Sequence, residues 1–230
     1  MNLACTYGFF AIAAVLNYMC PEHVIYVPGW HRCHRGADEA FRAVLTAFPW
    51  VVVSTYDWDG NCRWKNARTN ADAAAAKLAD ELRSMSEEKL GQLTLVGHSL
   101  GARIVIRALA NIAKDGKRVK RAVVLAAAIP DNDPDIAAFT AASREETAIV
   151  CNPKDVMLKL GYNLFGGEKA KALGLKGPAA KPANCRVIAV LPETTRQTPL
   201  TALWAKINLF RTIAAHYAPF YLEQLKRSKQ

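Results

Sequence analysis

Short unbroken apolar runs alternate along this chain with longer stretches whose apolar residues recur three and four positions apart. The first pattern is that of buried strands, the second that of helices packed by one face. Residues 23–27 (HVIYV) form a β-branched run stopped by Pro28 and Gly29, which predicts a strand ended by a turn. Ala37, Ala40, Phe41, Val44, Leu45 and Phe48 then follow at helical spacing, with Asp38 and Glu39 in the first turn. Residues 50–56 predict a second strand, with Asp57, Trp58, Asp59, Gly60 and Asn61 as its exit loop. The alanine-rich stretch 70–85 predicts a helix capped by Asn70. A buried strand over 92–96 leads into an amphipathic helix over 102–114, and further strands are expected at 122–129, 147–151 and 186–191. Strands alternating with helices at this spacing predict an α/β fold: a mostly parallel, doubly wound sheet of about six strands with helices on both faces.

In such sheets the ligand site lies at the carboxyl ends of the strands, so the residues at those ends carry the chemistry. The most informative is the pentapeptide Gly97-His98-Ser99-Leu100-Gly101, set between an apolar run and a helix. Strand, sharp turn and helix are what a nucleophile elbow requires, with small residues two positions either side of the serine. The helix that follows aims its free N–H groups and positive dipole end at charge developing beside Ser99.

A serine hydroxyl needs a base to take its proton and a carboxylate to orient that base. Of the five histidines, His98 adjoins the serine, His23 begins a strand at the wrong end of the sheet, and His31 and His34 precede the serine in the chain. His216 follows the last strand, just before Pro219 and a final helix through Leu222 and Leu225, and the order serine, acid, histidine selects it. Asp155, in the proline-bent loop after residues 147–151, is the preferred acid; Asp131, Asp133 and Asp135 after the preceding strand are alternatives whose other reading is capping around Pro134. The backbone N–H groups of Leu100 and Trp30 are the candidate oxyanion donors. Trp30, His31 and Phe165 are expected to touch substrate, Phe165 together with Leu164 and Leu173 on a glycine-punctuated flap over residues 161–184 that lines an acyl pocket.

Composition narrows the picture. With 230 residues, 51% hydrophobic and 22% charged, the chain has the make-up of one globular domain over residues 23–230. Residues 1–22 form an apolar segment, read either as a packed helix or as a targeting or anchoring stretch. The expected location is cytoplasmic, with export or anchoring through residues 1–20 as the alternative. A net charge of +10 permits weak association with a membrane surface. Its lysines and arginines are scattered, and no zinc-finger spacing or aromatic-basic motif accompanies them, so no nucleic-acid partner is expected. Six cysteines without a C-x-x-C pair suggest reduced thiols, and Cys33 with Cys62 is the one bridge left open. His31, Cys33 and His34 have no matching second pair of ligands, and no metal or cofactor is expected.

From about Val24 onward the chain resembles the α/β-hydrolase superfamily, in particular its compact esterase/lipase-like members. The likeness rests on residues 97–103 (GHSLGAR), on Val27-Pro28-Gly29-Trp30, on Tyr56-Asp57-Trp58, and on the late Asp155 and His216. It implies a Ser-Asp-His triad working through an acyl-enzyme on a small-molecule acyl ester. Two departures stand out. Pro28-Gly29 replaces the family's common His-Gly, and the chain is too short for a large cap domain. A thioesterase, amidase or acyltransferase would use the same residues, and a catalytically silent binding module would keep the same fold.

Overall fold

The computed structural model describes residues 22–30, 51–153, 155, 157–162, 171–180 and 182–189. The N-terminal segment, the helix predicted at 37–48, His31, Cys33, His34, Leu164, Phe165 and His216 lie outside the described residues.

Six strands run parallel: β1 (Glu22–Val27), β2 (Val51–Thr55), β3 (Leu93–His98), β4 (Val119–Leu125), β5 (Ser143–Cys151) and β6 (Cys185–Ala189). Their order across the sheet is β2-β1-β3-β4-β5-β6. The expected doubly wound parallel sheet is therefore present. Among the described residues five α-helices stand between the strands: α1 (Trp64–Ser84), α2 (Glu87–Leu90), α3 (Leu100–Ala113), α4 (Asp135–Ala141) and α5 (Leu173–Lys176).

The central strands are buried on both faces, which is why they read as continuous apolar runs. All six residues of β3 are buried. On one face Leu93, Leu95, Ala122, Val124 and Ile149 pack with Leu78 and Leu82 of α1, Ile104 and Leu109 of α3, and Phe139 of α4. Each such leucine contributes about 2 kcal/mol relative to leaving it exposed. The other face holds a second cluster of Val24, Tyr26, Val96, Val123, Leu125, Ala148 and Val150. Among the described residues no helix is long and apolar enough to cross a membrane.

Several boundaries differ from the sequence reading. Helix α1 starts at Trp64, so Asn70 lies inside it and caps nothing; its Nδ2 instead donates to the Asp59 carbonyl (3.0 Å) and to Asp59 Oδ2 (3.1 Å). The apolar spacing Trp64, Ala67, Ala71, Ala74, Ala75, Leu78, Leu82 already carried that earlier start. Strand β4 ends at Leu125, because Ala126 turns to φ 46° and carries the apolar run 126–129 out of the sheet. Strand β5 starts at Ser143, its opening residues Ser143–Glu146 polar and half-buried or exposed.

The flap reading fails at Leu173 and Gly174. Leu173 is fully buried in the main core, and its N–H donates to the Ile129 carbonyl at 2.8 Å. The Gly174 N–H donates to Ala127 (3.0 Å) and its carbonyl accepts from Asn152 (2.8 Å). A Cβ on Gly174 would stand 2.3 Å from backbone atoms of Ala126 and Ala127, so α5 is wedged against the end of β4.

Candidate active site

Ser99 joins β3 to α3 at φ 54° and ψ −117°, a conformation in which glycine is the usual occupant. Three backbone bonds hold it there. Its N–H donates to the Leu125 carbonyl (2.9 Å), and its own carbonyl accepts from Ala102 (3.1 Å) and Ala128 (3.0 Å). The strained bend is thus fixed by α3 and by the exit of β4, and the half-buried serine stands at the carboxyl edge of the sheet.

The two glycines of the pentapeptide are there because backbone crowds them. A Cβ on Gly97 would meet Ala102 Cα at 2.6 Å, and one on Gly101 would meet the carbonyl oxygens of Val27 and Pro28 at 2.2 and 2.4 Å. The loop leaving β1 therefore crosses directly over the first turn of α3. Gly29 in that loop abuts the serine itself: its Cβ would stand 3.0 Å from Ser99 Cβ, 3.2 Å from the His98 carbonyl oxygen and 3.3 Å from His98 Nδ1. Trp30 is the next residue of that loop.

Tryptophans from the neighbouring loop brace this crossing. Trp58 Nε1 donates to the Pro28 carbonyl at 2.9 Å in a buried bond. Trp30 Nε1 donates to the Cys62 carbonyl at 2.7 Å, and its ring meets Trp64 edge-on, centroids 5.2 Å apart at 79°. The sequence marked Trp58 as part of an aromatic loop but gave it no task; the brace on Pro28 is its contact here.

Leu100 is the first residue of α3, where N–H groups have no intrahelical acceptor, and no acidic residue in that first turn offsets the positive end of the helix. Asp155 lies past the end of β5 at the same edge. Its Oδ1 accepts from the Leu158 N–H at 3.0 Å, which anchors the carboxylate at the start of the wide helical turn Met157–Tyr162. Asp133 behaves as the capping alternative foresaw: its Oδ1 accepts from the Asp135 N–H (3.0 Å) and Oδ2 lies 3.8 Å from Arg107. Among the described residues Cys62, Cys151 and Cys185 are free thiols; Cys33 lies outside them. Cys151 ends β5 near this edge, and burial pushes its thiol pKa up.

An open parallel sheet in this strand order, with a strained serine at a strand-to-helix turn on its carboxyl edge, defines an α/β hydrolase. Residues 40–191 match the model of the family described as "Alpha/beta hydrolase of unknown function (DUF900)", and the chain belongs to that family. A comparison with curated proteins returns no match. Among solved structures the chain is similar to an esterase of Pyrobaculum calidifontis at 12% identity, covering 87% of this chain and 76% of that one, TM-score 0.47. It is also similar to RedJ, a thioesterase of the prodiginine pathway in Streptomyces coelicolor, at 12% identity, with 86% and 87% covered and a TM-score of 0.48. A third is Est1E of Butyrivibrio proteoclasticus, solved with ferulic acid, at 14% identity, with 85% and 90% covered and a TM-score of 0.45.

Proposed function

We propose that the protein is a serine hydrolase that cleaves a carboxylic ester of a small molecule through an acyl-enzyme. The observation that carries this reading is the positive φ of Ser99, a strain persisting only where the surroundings over-determine it and typical of functional sites. Ser99 Oγ attacks the ester carbonyl carbon while His216 takes its proton. The Leu100 and Trp30 N–H groups donate to the oxyanion, and the Gly29 backbone against Ser99 supports Trp30 as the second donor. His216 then protonates the departing alcohol, and water, activated by the same histidine, releases the acid. Asp155 orients His216 and stabilises its charged form, its carboxylate held in place by Leu158.

Hydrolysis of p-nitrophenyl esters by single and double variants tests the reading. Ser99→Ala and His216→Ala should each lower kcat by about 10⁴ to 10⁶, and the double variant should be scarcely worse, because both groups serve one transition state. Asp155→Asn should cost about 10⁴ near neutral pH, and Asp133→Asn far less. Losses that multiply in the double variant would defeat the pairing and make His31 and His34 the next bases to test. A folded wild type that turns over no acyl substrate, thioesters included, would leave the silent binding module.

A further inference from the structure

The two halves of the proposed oxyanion hole belong to different elements. Leu100 rides on α3, whereas Trp30 rides on the β1 loop and is fixed from α1: its ring rests on Trp64, and its indole donates to the carbonyl of Cys62. Cys62 is tied to α1 in turn: Asn70 Nδ2 lies 3.6 Å from its Sγ and donates to the carbonyl and Oδ2 of Asp59 in the same loop. The spacing of the two donors therefore depends on how α1 sits against α3.

One half-buried fork sets that relation beside the serine. Arg103 lies one helical turn after Ser99, about 6 Å along the axis, and helix side chains lean back toward the N-terminus. Its side chain is only 5% exposed. Nε donates to Asp72 Oδ1 at 2.8 Å and a terminal nitrogen to Oδ2 at 3.2 Å, a bidentate contact with fixed direction. Asp72 stands two residues after Asn70 on α1, so the carboxylate and the support of Trp30 move together. Arg107, one turn further along α3, adds a contact to the same Asp72 Oδ1 at 2.9 Å.

We propose that Asp72 and Arg103 are positioning residues for catalysis: their fork fixes the axial register of α1 on α3 and thereby the distance between the Leu100 and Trp30 donors. The proposal rests on the serine-hydrolase reading above. The structure also supplies its control. Arg83, in the last turn of α1, ties the far ends of the same two helices through Asp115 Oδ2 (2.7 Å) and Asn111 Oδ1 (3.1 Å), away from the serine.

The test compares Asp72→Asn, Arg103→Lys and Arg83→Met in p-nitrophenyl ester hydrolysis, thermal melting and fluorophosphonate labelling. Asp72→Asn keeps an acceptor but loses the charge; Arg103→Lys keeps the charge but cannot form the fork. Each should lower kcat about 100-fold, with KM within about threefold of wild type, since a displaced donor weakens transition-state binding alone. Arg83→Met should melt earlier while its kcat stays within about twofold. Asp72 is part-exposed, so Asp72→Asn is expected to fold even if Arg103→Lys does not. A kcat within about threefold of wild type in Asp72→Asn, or an equal loss in Arg83→Met, overturns the proposal while leaving Ser99 as nucleophile intact. A folded wild type that takes no label removes the parent reading instead.

Discussion

Ser99 holds a backbone conformation that costs about 1–3 kcal/mol for a residue with a side chain, offset by bonds to Leu125, Ala102 and Ala128. Replacing it separates strain from chemistry: Ser99→Gly and Ser99→Ala should both be inactive, yet Ser99→Gly should be more stable than Ser99→Ala by about 1 kcal/mol in urea denaturation. Gly101→Ala places a methyl group 2.2 Å from the Val27 carbonyl oxygen, where backbone lies on both sides, and should cost about 3 kcal/mol or more. Gly29→Ala presses on Ser99 Cβ at 3.0 Å and on the His98 carbonyl oxygen at 3.2 Å, a milder approach, so it should cost less stability than Gly101→Ala while kcat falls about 10- to 100-fold. At this scale the pentapeptide was fully legible, because fixed residue types at fixed spacing encode a local turn. The Asp72–Arg103 fork was not, since nothing local links positions on two helices separated by a strand.

Helix α5 and the chain around it form a packed wedge. In hydrogen exchange the Leu173 and Gly174 amides should be protected to a degree comparable with β4, because both donate into the β4 exit from buried positions. Exchange at the rate of an open loop would restore the flap reading. Glycines and lysines in residues 161–184 suggested mobility, whereas Gly174 is there to let backbone meet backbone. Similarly, 126–129 read as strand because it is apolar, but its burial comes from α5 and the elbow, not from a ladder. Composition reports burial more faithfully than it reports which element does the burying. Thiol chemistry offers a check on the elements themselves. Burial raises the Cys151 pKa, so less thiolate exists at a given pH; at pH 8 iodoacetamide should alkylate half-buried Cys62 first and reach Cys151 only on unfolding.

Across the whole molecule, parallel strands bring every carboxyl end to one edge, which is how the elbow after β3 and Asp155 after β5 come to share it. His216, from the chain beyond β6, is proposed to complete the set, and kcat/KM should then fall on the acid side, where the imidazole gains a proton and can no longer accept one from serine. The alternation of strands and helices fixed this architecture in advance because burial on both faces leaves an unmistakable apolar run, as in β3. Substrate identity is of another kind: it depends on the shape of walls built from several loops. The central claim is that Ser99 is an activated nucleophile, and fluorophosphonate labelling tests it most directly. The account predicts one phosphonyl group per chain, mapped to Ser99 by peptide mass spectrometry, absent from Ser99→Ala and formed at least about 10⁴-fold more slowly in His216→Ala. A folded wild-type protein that stays unlabelled, or a label on a different residue, would contradict it.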